Sequence, residues 1–315
     1  MIDFRYHLVS LIAVFLAVAL GIIIGTTALN EPILADIENQ VADLEQDKRA
    51  LEDRTQQLQA QLDTTEAFEQ AVAGPLVAGT LAGRSVLLVR TNEDVTPEVV
   101  EQVTALITEA GGTVGGTISL RPEYSDQATA SSLQNYATGG GLPPGIELSP
   151  TDDAGQLVAG LVGQVLMTRP GLPAPDAAAV SSVVSGLSSL DVLSLDTDTV
   201  TPSDYAVVLT TGAFSGDDAE ERNATLVDLV SALDTAGSGA VVAGDAASAG
   251  EAGLVGVIRA DPELSAAIST VDNVGSAAGR ISTVLALGSE SEGTSGKYGT
   301  GEDTQPVPPV PAAAP

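Results

Sequence analysis

Few residues in this sequence could do chemistry, and their scarcity narrows the functions open to it. There is a single histidine, His7, and no cysteine. A Ser-His-Asp or Cys-His device needs an imidazole beside its nucleophile, and His7 stands at the mouth of an apolar run, so such mechanisms are excluded for the rest of the chain. A catalytic zinc site lacks ligands for the same reason. Soft or borderline metal ions would find only Met1, His7 and Met167. Met167 lies in an apolar helical stretch and reads as core, while an interfacial position is the plainer role for His7. Paired carboxylates occur at Asp152-Asp153 and Asp217-Asp218. Both pairs open helical stretches, where acids complement the helix dipole. No G-x-G-x-x-G follows the first strand-like run, and no G-x-x-x-x-G-K-[ST] occurs, so nucleotide binding has no motif behind it. An enzyme is not expected, and no cofactor is called for.

The elements that would position these residues alternate. Ser85 to Val89 suits a buried strand, and Thr96-Pro97 opens a helix whose inner face is Val99, Val103, Leu106, Ile107 and Ala110. Gly111-Gly112 ends it, and Thr113 to Leu120 reads as the next strand. Residues 121–150 read mostly as loop around one short helix, with Gly139 to Gly141 and Pro143-Pro144 as breakers. Thr151 is expected to cap a helix carrying Leu157, Leu161 and Val165. Past Pro170, Pro173 and Pro175, Asp176 opens another with Val180, Val183, Val184 and Leu187, and Asp191 to Leu195 reads as a strand. The pattern then recurs: a strand over Ala206–Leu209, a capping box at Ser215 to Asp218, a helix with Leu226, Leu229, Val230 and Leu233, and a strand over Ala240–Ala243. Val255 to Ile258 and Ile281 to Leu287 are expected to add strands. The fold class is therefore α/β, a mostly parallel, Rossmann-like open sheet with helices on both faces over residues 84–288. A disordered Gly/Ser/Pro-rich tail is expected over 289–315.

In such a sheet, ligands gather beyond the carboxyl ends of the strands. Here that edge holds Thr91, Asn92 and Asp94, then Thr211 and Gly212, then Gly244 and Asp245. These residues are the candidate pocket; turn chemistry is the alternative account of the same residue types.

The N-terminal region explains where this body works. Leu8 to Leu29 is 22 residues without a charge, about 33 Å as a helix and enough to cross a hydrocarbon core. Leu8, Leu11, Phe15, Leu20, Gly21 and Gly25 mark this anchor, assigned to residues 1–30. Gly21 and Gly25 form a G-x-x-x-G that lets two such helices approach closely. Arg5 precedes the run, and only acids follow it between Glu31 and Asp47, so the N-terminus is expected in the cytoplasm and the body outside. A cleaved signal peptide is the competing reading; Ala28 offers a small residue, but the A-x-A pattern is missing.

Residues 31–72 then read as a coiled-coil stalk. One seam takes Leu34, Val41, Lys48, Thr55 and Leu62; the other takes Ile37, Leu44, Leu51, Leu58 and Thr65. Asp47 and Glu52 would repel across a parallel homodimer, and Lys48 between them offsets this. The expected partner is a second copy or another coiled-coil protein, with a single amphipathic helix as the bland alternative. Residues 73–83, small and Gly-rich, read as a hinge. A formal net charge of −30, from 12 Lys and Arg against 42 Asp and Glu, repels phosphate backbones, so nucleic acid is not an expected partner.

Several stretches carry a likeness beyond composition. Arg5-Tyr6-His7-Leu8-Val9-Ser10-Leu11 leads into Ala13 to Ala17, followed by Gly21 and Gly25. Leu81 to Val86, Ile268-Ser269-Thr270-Val271-Asp272, Gly279-Arg280-Ile281 and Tyr298-Gly299-Thr300-Gly301 continue it. Together they resemble the actinobacterial family of the mycobacterial copper transport protein B, over nearly the whole chain, with the Pro-rich end after Gly301 looking like an addition. The resemblance implies a cell-envelope protein of copper transport, efflux and homeostasis, acting in the mycolate outer membrane, with copper as the associated metal. It also implies a second role, as a non-enzymatic coiled-coil adaptor in control of cell-wall hydrolysis at division.

Overall fold

The structure is a computed structural model describing residues 4–139, 142–143, 145–168 and 171–310, with the side chains of 26–35 and 38 left aside. The expected seam contact of Leu34, the cleavage position Ala28, the metal candidate Met1 and the breakers at 140, 141, 144 and 170 lie outside what is described. The chain forms two compact units, Met1–Thr65 and Glu66–Pro315.

The first unit is helical throughout its described residues and belongs to α1 (Phe4–Val77). Its N-terminal part is apolar enough to cross a membrane over Phe4–Gly25, 22 residues of mean hydropathy 2.9, none of it buried. Between Gly25 and Gly74 the helix contains no Gly and one Pro, Pro32, which lies among the residues with undescribed side chains.

The second unit takes in the last turns of α1. The expected hinge at 73–83 divides: Ala73 to Val77 stay helical, residues 78–83 are turns, and Ala73, Val77 and Leu81 are buried. Glu66 pairs with Arg280 at 3.3 Å, and Glu69 accepts the Ala278 N–H at 3.1 Å. Gly79 and Gly83 turn the chain at φ +80 and +69, with open space where a Cβ would stand.

Then follow β1 (Ser85–Arg90), α2 (Pro97–Glu109), β2 (Thr113–Leu120), a 3₁₀ turn (Pro122–Ser125), α3 (Gln127–Thr138), α4 (Ala154–Leu166), α5 (Ala177–Ser189), β3 (Leu193–Leu195) and β4 (Tyr205–Leu209). The chain ends with α6 (Ala219–Ala236), β5 (Ala240–Ala243), α7 (Leu254–Ala260), α8 (Pro262–Ala267), β6 (Ser269–Val271), α9 (Ala277–Ser291) and β7 (Lys297–Tyr298). The seven strands lie in the order β3-β2-β1-β4-β5-β6-β7. All neighbours are parallel except β2 and β3. Alternate residues of one strand serve two cores. Leu87 and Val89 join α4, α5, α6 and α7 on one face, while Val86 and Leu88 join α2, α9 and the end of α1 on the other.

Several expected elements change type. Val255–Ile258 and Ile281–Leu287, read as strands, are helical in α7 and α9. Both are short apolar runs, and α9 is buried on nearly all sides, so no amphipathic period marks it. The strand beside β5 is instead β6, whose Ser269 and Thr270 are fully buried. Thr151 does not cap α4; Asp153 does, accepting the Gln156 N–H at 3.0 Å. No capping box closes at Ser215 to Asp218, since Asp218 makes no side-chain cap. The expected boundary at 288 falls inside α9, and 289–310 is not a bare tail: β7 lies in it, and Tyr298 bridges to Gln305. Residues 311–315 lie outside the described residues.

Candidate functional site

The chain runs outward from β1 to β2 and returns to β4 on the other side of β1, so strand order reverses between β1 and β4. That is the place where open α/β sheets hold ligands. The structure does bring Thr91, Asn92, Thr211, Gly212, Gly244 and Asp245 to one edge, and it joins them to each other. The Asn92 amide donates to the Thr211 carbonyl at 2.9 Å and its oxygen accepts the Thr211 hydroxyl at 3.0 Å. The Thr91 hydroxyl donates to that of Thr210 at 2.9 Å. Asp245 Oδ1 accepts the backbone N–H groups of Gly212 at 3.0 Å and Ser248 at 2.9 Å. Gly244 donates its N–H to Val271 at 2.8 Å. Asp94 stays exposed and apart. The polar groups of this edge are spent on stitching loop to loop, as turn chemistry requires.

A second centre was not singled out residue by residue. Asp272, 1% exposed, accepts four contacts. Arg259 Nη1 reaches it at 2.7 Å, the Thr300 N–H at 2.7 Å, the Gly301 N–H at 3.0 Å and the Thr300 hydroxyl at 3.4 Å. Arg259 also donates to the Thr270 hydroxyl and the Tyr298 carbonyl, both at 2.9 Å. Burial pushes the Asp272 carboxyl up, but donation by Arg259, Thr300 and Gly301 outweighs it and leaves the group below the usual carboxylate range. Gly299, at φ +128, passes so close that a Cβ there would collide with Asp272 Oδ1. The stretches Ile268 to Asp272 and Tyr298 to Gly301 are thus two halves of one ion-paired clasp. Both stretches carry the family likeness in the sequence but no sign of their pairing, and Arg259 lies outside them.

Two more acids lie at the opposite strand ends, Glu290 buried and Asp234 half-buried. Glu290 accepts the Ser269 N–H at 2.8 Å and the Ser295 hydroxyl at 3.3 Å. Burial, and to a lesser degree Asp234, pushes it up to about 7. Asp234 accepts the Ala240 N–H at 3.0 Å, and burial raises it too. Each ties a helix to a strand end.

In the first unit the marked side chains face outward. Leu8, Leu11, Phe15 and Leu20 of the apolar helix are 50–70% exposed. Nothing lies within 4 Å of where a Cβ would stand on Gly21 or Gly25. The seam residues Ile37, Val41, Leu44, Leu51, Leu58 and Leu62 are exposed to the same degree. Lys48 turns to Glu52 of its own helix at 3.5 Å.

Donors for a soft metal do not converge. Among the described residues no three His, Asp or Glu side chains are placed to hold a metal ion. His7 is exposed on α1, and Met167, 2% exposed, is packed into the core.

The family model described as "Copper transport outer membrane protein, MctB" matches residues 1–309. The match includes most of the Pro-rich end after Gly301, which is therefore not an addition. The chain is 32% identical to copper transporter MctB of Mycobacterium tuberculosis strain H37Rv over 312 residues, 98% of this chain and 99% of the relative. It is 33% identical to copper transporter MctB of Mycobacterium leprae over 309 residues, 96% of this chain and 97% of the relative. The adaptor role in cell-wall hydrolysis gains no support from these matches. With a family match over almost its whole length, the chain belongs to the MctB family of copper transport outer membrane proteins.

Proposed function

We propose that this chain is a non-enzymatic, membrane-anchored component of copper transport in the cell envelope. The observation that carries this reading is the match to copper transport proteins from residue 1 to 309, anchor and body alike. The apolar segment Phe4–Gly25 is the membrane-bound part, crossing once, with the N-terminus cytoplasmic because Arg5 precedes it and acids follow. Copper is the cargo. The donor set argues for a supporting role: with imidazole confined to His7 and thioether confined among described residues to the sealed Met167, the body does not supply soft ligands for a relay.

The sheet is read as doubly wound and Rossmann-like, used as a rigid surface, since its switch-point loops are bonded to one another. The heptad seam is read as a parallel homodimer interface. Six apolar side chains along it are at least half exposed in the single chain, and two copies anchored in one membrane present that seam to each other. Growth of a strain lacking the chain, on rising copper, tests the function. Sensitivity that the full chain reverses is expected, and growth equal to the parent at every concentration would overturn it.

A further inference from the structure

Apart from the copper reading, one cleft of the body gathers acidic side chains. It has a volume of about 400 Å³ and lies where the 3₁₀ turn, the N-terminus of α3, the N-terminus of α4 and one face of α6 meet. Its wall carries five carboxylates, Asp126, Asp152, Asp153, Glu221 and Asp228, and no lysine or arginine. Tyr124 completes the wall, 2% exposed, and its buried hydroxyl has no hydrogen-bond partner. Buried hydroxyls are almost always paired, so this group points to a missing partner.

The carboxylates are not equally committed. Asp126 and Asp153 cap α3 and α4, which leaves their second oxygens open. Asp228 accepts no hydrogen bond from the described residues, and burial, then the charge of Asp153, pushes its carboxyl up to about 6. Burial, then the Asp228 charge, raises the Tyr124 phenol above its ordinary range. Gly155 separates the two acids: a Cβ there would stand 3.1 Å from Asp153 Oδ1 and 3.5 Å from Asp228 Oδ2. The lack of a side chain at Gly155 lets Asp153, Asp228 and the Thr225 methyl, 3.3 Å from that Cβ position, close around one point of the wall. Arg222 donates to the hydroxyl of Ser125 in the cleft wall at 3.2 Å and to the Pro122 carbonyl at 3.4 Å, lies over the Phe214 ring and stands 4.0 Å from Asp218, so its charge is already committed.

We propose that this cleft binds the primary ammonium group of a small organic amine, held between Asp153 and Asp228 with the Tyr124 hydroxyl as the third acceptor. An ammonium offers three N–H donors and no acceptor, which matches three acceptors of which two are anionic. A bare metal ion fits less well, because no three acidic side chains are placed to hold one among the described residues.

Calorimetric titration of the full chain in detergent with butylammonium, and with tetramethylammonium as a cation lacking N–H donors, tests this. Saturable butylammonium binding is expected that weakens as pH falls through about 6, where Asp228 takes up its proton. Tyr124→Phe and Asp228→Asn should each weaken it by about tenfold or more. Tyr124→Phe keeps the ring and the fold, so it decides the matter if Asp228→Asn fails to fold. Absence of saturable binding, equal binding of tetramethylammonium, or full retention in Tyr124→Phe would overturn the proposal in favour of unspecific attraction to a chain of formal charge −30.

Discussion

At the scale of single residues, the polar side chains of the body hold it together. Replacing Asp272 by Ala leaves Arg259, whose side chain is 11% exposed, without its counter-ion, and unfolding free energy should fall by about 3–5 kcal/mol in denaturant titration. The pH dependence draws one contribution from Asp272 and an opposite one from Glu290, Asp228 and Asp234, whose carboxyls burial raises. Asp272 lies below its ordinary 3.8, so its contribution is present above that pH and lost as pH falls through the lower folded value. Glu290 rises from 4.5 to about 7. Between these values the folded chain keeps a proton that the unfolded chain has released, so stability falls as pH rises across that window. The melting temperature should therefore drop between about pH 5 and pH 7.5, and Glu290→Gln should flatten the drop; an unchanged slope in that variant would remove Glu290 as its source. The strand-end residues Thr91, Asn92, Gly212, Gly244 and Asp245 were legible in the sequence because strand periodicity and turn chemistry locate them. Arg259 and Asp272 were not, because their clasp joins positions 259, 272 and 300 through folding alone.

Elements were legible where one face was buried and the other wet. The inner face of α6 was read as Leu226, Leu229, Val230 and Leu233, and all four are buried. Leu233 is 0% exposed, and Leu233→Ala should cost about 2–5 kcal/mol by the same titration. Legibility failed for α9, whose wholly apolar inner stretch from Val284 to Leu287 is buried all round and has the length and composition of a strand. It failed in part for residues 73–83, where Ala73 and Val77 extend a helix into the core and Gly79 and Gly83 serve turns at positive φ. Along α1, replacing Leu44, Leu51 and Leu58 together by Ser should abolish crosslinking between copies in intact cells while leaving the body's melting transition in place. Undiminished crosslinking would rule the seam out as the dimer interface.

The whole molecule combines an apolar N-terminal helix, an acidic surface and a sheet with two well-filled cores. Net charge −30 favours solubility and repels polyanions, and the absence of cysteine leaves nothing for thiolate chemistry. Copper transport belongs to this scale, since it cannot be assigned to any one cluster of ligands in the described residues. Its most direct measurement is total copper content, by elemental mass spectrometry, of cells lacking the chain after growth in elevated copper. Content is expected to rise above the parent's and to return when the full chain is restored, but not when a chain without residues 1–30 is supplied. Copper content equal to the parent's in the cells lacking the chain would contradict the account.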